Sequence, residues 1–240
     1  RRAKERVVVI ISDAFRFEVG QTLLKRLMED EKCTASMDAM QSVLPSYTRF
    51  GMSALLPHRK LSMSDDYNVL VDGKVCDNLN SREQVLQSFV PNSRTVQFDD
   101  IKTMKIAELK EIFSGQEVVY VYHNQIDARN EVFTACEEAV EEIHTMIKRL
   151  TSANNIRFII TADHGFIYKR DKLVESDKIS GFDRENAFVG RRYVIASEGI
   201  HAEGVGTLRL GDILGNEDDR IVSVPIGSDV FKVAGGGQNF

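Results

Sequence analysis

The sequence predicts an α/β fold, a mostly parallel central sheet with helices on both faces, and three observations carry that expectation. The runs Val7 to Ser12 (VVVIIS), Glu117 to His123 (EVVYVYH) and Ile156 to Asp163 (IRFIITAD) are short, nearly continuous and rich in β-branched and aromatic residues. Such runs read as strands buried on both faces of a sheet. Between them lie segments of helical length whose apolar residues recur at helical spacing. The order strand, helix, strand, helix, strand then calls for right-handed crossovers and parallel pairing.

The elements follow in order. After the first strand, Phe15, Val19, Leu23 and Leu27 mark a helix, with Leu24 and Met28 widening its apolar stripe. Residues 35–44 lead to the turn Pro45-Ser46-Tyr47-Thr48, and residues 48–56 form a short helix stopped by Pro57. The segment 58–92 is polar and loop-rich, with a strand candidate at Tyr67 to Val71 ahead of Asp72-Gly73, and reads as an insertion over the sheet edge. The clearest helix places Val132, Phe133, Cys136, Ala139, Val140, Ile143, Met146, Ile147 and Leu150 on one face. From Arg191 onward, Arg192 to Ala196, Thr207 to Leu210 and Ile221 to Pro225 are shorter strand candidates, suited to antiparallel pairing or a small subdomain. The 240 residues fit one domain, 1–240. The missing initial Met and the ending GGGQNF, directly after strand-like sequence, lead us to expect a piece of a longer chain.

Composition excludes several classes. A net charge of -5 rules out a chain that is basic throughout and clamps nucleic acid as a whole. No apolar stretch reaches the roughly 18 residues that span a bilayer, and VVVII is too short for a secretory signal, so no membrane partner is expected. Cys33, Cys76 and Cys136 are odd in number, widely spaced and without a CxxC pair, which fits a reduced, cytoplasmic setting.

In open parallel sheets, ligands bind beyond the carboxyl ends of the strands. Three strands end in acids: the first in Ser12-Asp13 with Arg16 one turn on, the second in His123-Asn124-Gln125-Ile126-Asp127, and the third in Asp163-His164. Ser46-Tyr47-Thr48-Arg49 follows the first helix. Taken singly, an Asp after a strand caps a helix and a Thr in a turn bonds backbone. Together, acids and a His converging on one sheet edge repel one another unless cations hold them. Carboxylate oxygen and imidazole nitrogen suit Zn²⁺ or Mn²⁺. One or two such ions can polarise a phosphoryl oxygen and activate the hydroxyl of Thr48, a poor nucleophile on its own.

The stretches VVVIISDAFRFEVG, LPSYTRFGMSALLPH, VYHNQID and IITADHGF, in this order and spread over most of the chain, resemble the PglZ family of the alkaline-phosphatase superfamily, found in BREX-type phage-defence systems. The resemblance implies an alkaline-phosphatase-like fold and a two-metal site with Thr48 as the nucleophile. It implies Asp13, Asp163 and His164 as ligands of one Zn²⁺, with Asp127 and Glu131 as ligands of a second ion, Mn²⁺ or Mg²⁺ being the alternatives to zinc. Of the residues themselves, Arg16 either faces a substrate phosphate or pairs with Glu18 or an acid of the site, and Arg49, beside Thr48, is a candidate contact to substrate phosphate. Asn130-Glu131 replaces the Gly-Asp that usually follows the Ile-Asp stretch, and Glu remains an oxygen donor. A late His that ligates the second metal in relatives has no counterpart before Phe240, leaving His201 as an alternative donor. The implied activity is hydrolysis of a phosphate ester, a diester rather than a monoester, with a nucleotide or nucleic acid as the substrate class and other phage-defence proteins as partners. The rival reading is a scaffold of the same fold that binds metal or nothing and holds partners. No Cys/Ser-x-Pro-x-Arg arrangement is present, which speaks against a sulfatase.

Overall fold

The computed structural model describes residues 6–128, 132–169, 171–183 and 185–233. The chain opens with strand β1 (Val7–Ser12), helix α1 (Phe17–Met28) and helix α2 (Thr48–Ala54). Three short strands, β2 (Leu61–Met63), β3 (Val69–Val71) and β4 (Lys74–Val75), precede helix α3 (Leu79–Phe89). Strand β5 (Ser93–Gln97) is followed by helices α4 (Phe98–Ile101) and α5 (Ile106–Phe113), and then by β6 (Val118–His123), α6 (Val132–Ser152) and β7 (Arg157–Thr161). The remainder holds β8 (Lys178–Ile179), β9 (Phe188–Val189), β10 (Val194–Ala196), β11 (Val205–Arg209), α7 (Leu210–Leu214), β12 (Ile221–Pro225) and β13 (Val230–Phe231).

The central sheet is parallel, in the order β5-β6-β1-β7. Side chains alternate between its faces, and each face meets different helices. Val8, Ile10, Val119 and Val121 pack under α1, α5 and α6, joining Leu23, Leu109, Ile143 and Met146 in the largest core. Ile11 and Tyr122 face the other way, against Met52 of α2, with Val9, Leu55 and Leu79 alongside. Each fully buried aliphatic side chain contributes about 1.5–3 kcal/mol, so the two layers fix the sheet from both sides. The antiparallel sheet β11-β12-β10-β9 sends Ile195 and Val222 to a third cluster with Phe50 and Leu56, backing α2 from behind.

The helical stripe of α1 holds at Val19, Leu23 and Leu27, while Met28 at its end is exposed. In α6 the predicted face is buried except at Cys136, which is half-buried, and Phe133, which is exposed and meets Tyr168 edge-on at 4.9 Å. One residue is about 100° of helix, enough to turn Phe133 away from the stripe that Val132 begins. Among the described residues strand β7 pairs only with β1, at the edge of the sheet, and Ile159 is exposed rather than doubly buried. The segment 58–92 carries three short strands and α3 instead of being mostly loop. Helix α3 buries only Val85 and Leu86, too few apolar positions to show as a stripe. Strand β5, with its pattern Ser-Arg-Thr-Val-Gln, was likewise masked by polarity.

Candidate metal centre

Strand register assembles the site. In the β1–β7 ladder Ile11 pairs with Thr161, so the same offset brings Asp13 level with Asp163 just beyond the sheet. Neighbouring strands lie about 4.8 Å apart, and both side chains are buried. The chain turns sharply at this point: Ala14 has φ 58°, the left-handed region in which a non-Gly residue costs about 1–2 kcal/mol. That turn aims the Ala14 N–H at Asp163 Oδ1, which accepts it at 3.2 Å.

The other half of each carboxylate has no such partner. Asp13 Oδ1 and Asp163 Oδ2 are buried without a hydrogen bond. Both face His164 Nε2, at 3.3 Å and 3.5 Å respectively. His164 Nδ1 lies 2.8 Å from the Gly165 carbonyl, to which it donates, leaving Nε2 to face the two carboxylates. Thr48 Oγ1 is 3.0 Å from the same nitrogen. Two carboxylate oxygens, the imidazole Nε2 and a hydroxyl thus converge. An acceptor-rich pocket of this kind is satisfied by a cation. The ligand atoms of Asp13, Asp163 and His164 all lie within 4.8 Å of one another, so the three could hold one metal ion.

Thr48 reaches this cluster because α2 is pressed onto the Asp163 backbone. A Cβ at Gly51, one turn after Thr48, would stand 2.3 Å from the Asp163 carbonyl oxygen. Only glycine permits that approach. Ser42 Oγ donates to the same carbonyl at 3.0 Å. On the far side Tyr47, the residue before Thr48, stacks on Tyr193 at 4.9 Å between ring centroids, and burial raises the Tyr47 hydroxyl to about 12.

Electrostatics agree with the geometry. Burial raises the Asp13 carboxyl to about 8, helped by the charges of Asp163 and Asp127 and opposed by Arg82. Burial raises Asp163 as well, against the pull of His164 and of backbone N–H donors. Without a cation the site holds protons, and a bound cation would release them.

The other predicted residues fall in different places. Asp127 sits exposed on the turn after β6, outside the three-residue cluster, although its charge is felt at Asp13. Glu131 lies outside the described residues. Arg16 lines the same cleft of about 1060 Å³ as His164. Its guanidinium is paired with Glu18 and lies over the Phe166 ring at 4.7 Å. Arg49 is exposed near Tyr47 and Tyr193, and His201 is exposed before β11 and outside the cluster. His58 closes its loop on the Leu56 carbonyl at 2.7 Å. Three residues near the site carried no signal in the sequence. Gly51 and Ser42 act through backbone approach, which no residue pattern announces. Arg82 stacks on Tyr122 at 4.7 Å and donates to the Cys76 carbonyl, from a helix that the sequence reading left as loop.

The fold is that of an alkaline phosphatase-like α/β domain. The chain belongs to the PglZ family: the model of the BREX system PglZ alkaline phosphatase-like domain matches residues 1–240. The alkaline phosphatase-like protein PglZ of Bacillus cereus (strain H3081.97) is 38% identical over 247 residues, covering 99% of this chain and 29% of that protein. The alkaline phosphatase-like protein BrxZ of Escherichia coli O9:H4 (strain HS) is 30% identical over 246 residues, covering 98% of this chain and 28% of that protein. The chain therefore spans less than a third of the length of these relatives. Among the described residues no helix is long and apolar enough to cross a membrane.

Proposed function

We propose that this domain is a metal-dependent phosphoric ester hydrolase, acting on a phosphodiester through Thr48. The observation that carries the reading is the position of Thr48 Oγ1, 3.0 Å from a His164 Nε2 that also faces two buried, unpartnered carboxylate oxygens. Asp13, Asp163 and His164 would hold one ion, with Zn²⁺ favoured by the imidazole, and Asp127 with Glu131 would approach a second. A bound divalent ion would polarise the phosphoryl group and ease ionisation of the threonine hydroxyl. Thr48 Oγ1 would attack phosphorus as the bond to one alcohol breaks, that alcohol leaving with the proton Thr48 gives up, and water would then hydrolyse the remaining threonyl phosphodiester to restore the Thr48 hydroxyl and free a phosphomonoester. Gly51 and Ser42 keep the hydroxyl in place through the Asp163 carbonyl. Arg16 would meet a phosphate oxygen by exchanging Glu18 for substrate, and Arg49 stands one residue from the nucleophile.

Membership of a BREX family favours a nucleotide or nucleic-acid diester as substrate and other defence proteins as partners. Three unbridged cysteines are consistent with a reduced, cytoplasmic setting. The test is turnover of bis(4-nitrophenyl) phosphate beside 4-nitrophenyl phosphate, with Zn²⁺, Mn²⁺ or Mg²⁺ supplied and bound metal measured. Diester turnover that is lost in Thr48→Ala and kept in Thr48→Ser is the expected result. Bound metal without turnover of either ester would leave the scaffold reading in its place.

A further inference from the structure

The two core rows that face α6 end in polar residues. On β1 the row runs Val8, Ile10, Ser12, and on β6 it runs Val119, Val121, His123. The first two members of each row are fully buried aliphatics, and the pattern at the third position would be met by another. Instead Ser12 Oγ lies 2.9 Å from His123 Nδ1, and His123 Nε2 lies 3.2 Å from Glu142 Oε2 of α6. Phe98 packs edge-on against the imidazole at 4.6 Å. The imidazole of His123 faces a carboxylate oxygen of Glu142, which can only accept. Its Nε2–H then donates to Glu142, and its Nδ1 accepts from the Ser12 hydroxyl.

Carboxylate, imidazole and serine in this order form a triad of the hydrolytic kind, but Ser12 is 0% exposed and His123 1%. No substrate reaches the serine, so nucleophilic catalysis is excluded. A purely structural role is also a poor account, because well-packed apolar side chains would do as well or better at such a position. The distinguishing fact is where the network leads. His123 grips consecutive residues, through its ring to the Ser12 side chain and through its carbonyl to the Asp13 N–H at 2.8 Å. The next residue, Ala14, is the one held at φ 58°. His123 therefore fixes the backbone on the side of Asp13 that leads into the strained turn.

We propose that Ser12, His123 and Glu142 are positioning residues that fix the backbone of Asp13 and so set the metal affinity of the centre. The inference rests on the metal-centre reading above. Outer partners of metal ligands typically contribute about 10–100-fold in affinity, and the network is expected to act at the lower end because it works through the backbone.

The test is zinc affinity by calorimetry or competition with a chelating dye, with thermal melting of each metal-free variant alongside. Ser12→Ala and Glu142→Leu should each weaken zinc binding about tenfold while remaining folded at the assay temperature. Glu142→Gln keeps an acceptor for Nε2–H and should restore most of the affinity, a rescue that a general packing defect would not give. Ser12→Ala is small enough to keep the test alive should His123→Ala fail to fold. Folded Ser12→Ala and Glu142→Leu proteins with parental affinity would overturn the inference alone, since loss of melting temperature without loss of affinity means a structural role. A parent protein that binds no zinc, Mn²⁺ or Mg²⁺ would overturn the metal-centre reading and this inference with it.

Discussion

The two groups of candidate metal ligands are built in different ways. Asp13, Asp163 and His164 stand at the ends of adjacent parallel strands, with Asp13 level with Asp163 by register, both carboxylates buried, His164 half-buried and Asp163 braced by the Ala14 N–H. Asp127 leaves the sheet on an exposed turn, with only its charge reaching Asp13. Ligands placed by a strand ladder are organised before any ion arrives, whereas a carboxylate on an exposed turn must be ordered by the ion it binds. The first group should therefore bind metal tightly and the second weakly, and the variants below sort the two.

The largest effect is expected at the Thr48 hydroxyl, beside His164. Thr48→Ala should lower phosphodiesterase turnover by about a thousandfold or more, as loss of a nucleophile does, while calorimetry finds the parental metal content. Thr48→Ser should keep much of the rate. An alanine variant as fast as the parent would assign the attack to water and remove Thr48 from the mechanism.

Next comes the contrast itself. Asp163→Ala should weaken binding of the first equivalent of Zn²⁺ by more than about a hundredfold, exceeding what outer partners contribute. Asp127→Ala should leave that equivalent bound and affect only a second, weaker one. If the two variants lose metal alike, the centre is a single shared site and the difference drawn from register and burial is wrong.

A smaller effect probes how Thr48 is held. Gly51→Ala places a methyl 2.3 Å from the Asp163 carbonyl oxygen, and backbone atoms on both sides must give. Overpacking of this kind costs about 1–3 kcal/mol. A displacement approaching 1 Å at the reacting group can cost about a hundredfold in rate, and we expect tenfold to a hundredfold in kcat with zinc still bound. Parental kcat in Gly51→Ala would show that α2 can move without disturbing the hydroxyl.

Gly51 also marks the limit of what the sequence disclosed. The parallel strands were legible because VVVIIS and VVYVYH are buried on both faces and carry almost no polar interruption. Their ends named Asp13, Asp163 and His164, since register makes residues beyond neighbouring strands meet. Helix α6 was legible for the same reason, down to the one-residue error at Phe133. Strand β5 and helix α3 were not, because Ser93, Arg94, Gln97 and the polar positions of α3 are chosen for local contacts that have no period. The approach of α2 to Asp163 was not legible either. A glycine in a seven-residue helix reads as a weak helix position until the neighbouring carbonyl is seen. The Ser12–His123–Glu142 network stayed hidden because its members are separated by 111 and 19 positions and become neighbours only through the β1–β6 ladder and the packing of α6.

The subtlest expectation concerns protons. Burial and the neighbouring carboxylates raise Asp13 to about 8 in the folded protein, against an ordinary value near 4 once unfolded. A carboxyl raised on folding contributes its full share of stability below the unfolded value and loses it as pH rises through the folded one. The metal-free protein should therefore melt several degrees lower at about pH 8.5 than at about pH 5.5. Zinc should reverse that order, since it binds the ionised carboxylates and competes with protons at low pH. Asp13→Asn removes the titrating group while keeping its shape, so its metal-free melting temperature should vary less across the same range and zinc should stabilise it little. Differential scanning calorimetry of parent and variant, each with EDTA and with zinc, measures all four curves. A metal-free parent whose pH dependence equals that of Asp13→Asn would mean that Asp13 is already ionised in the empty centre. The two unpartnered carboxylate oxygens would then coexist as charges without a cation, and the argument that this pocket is built to receive one would lose its footing.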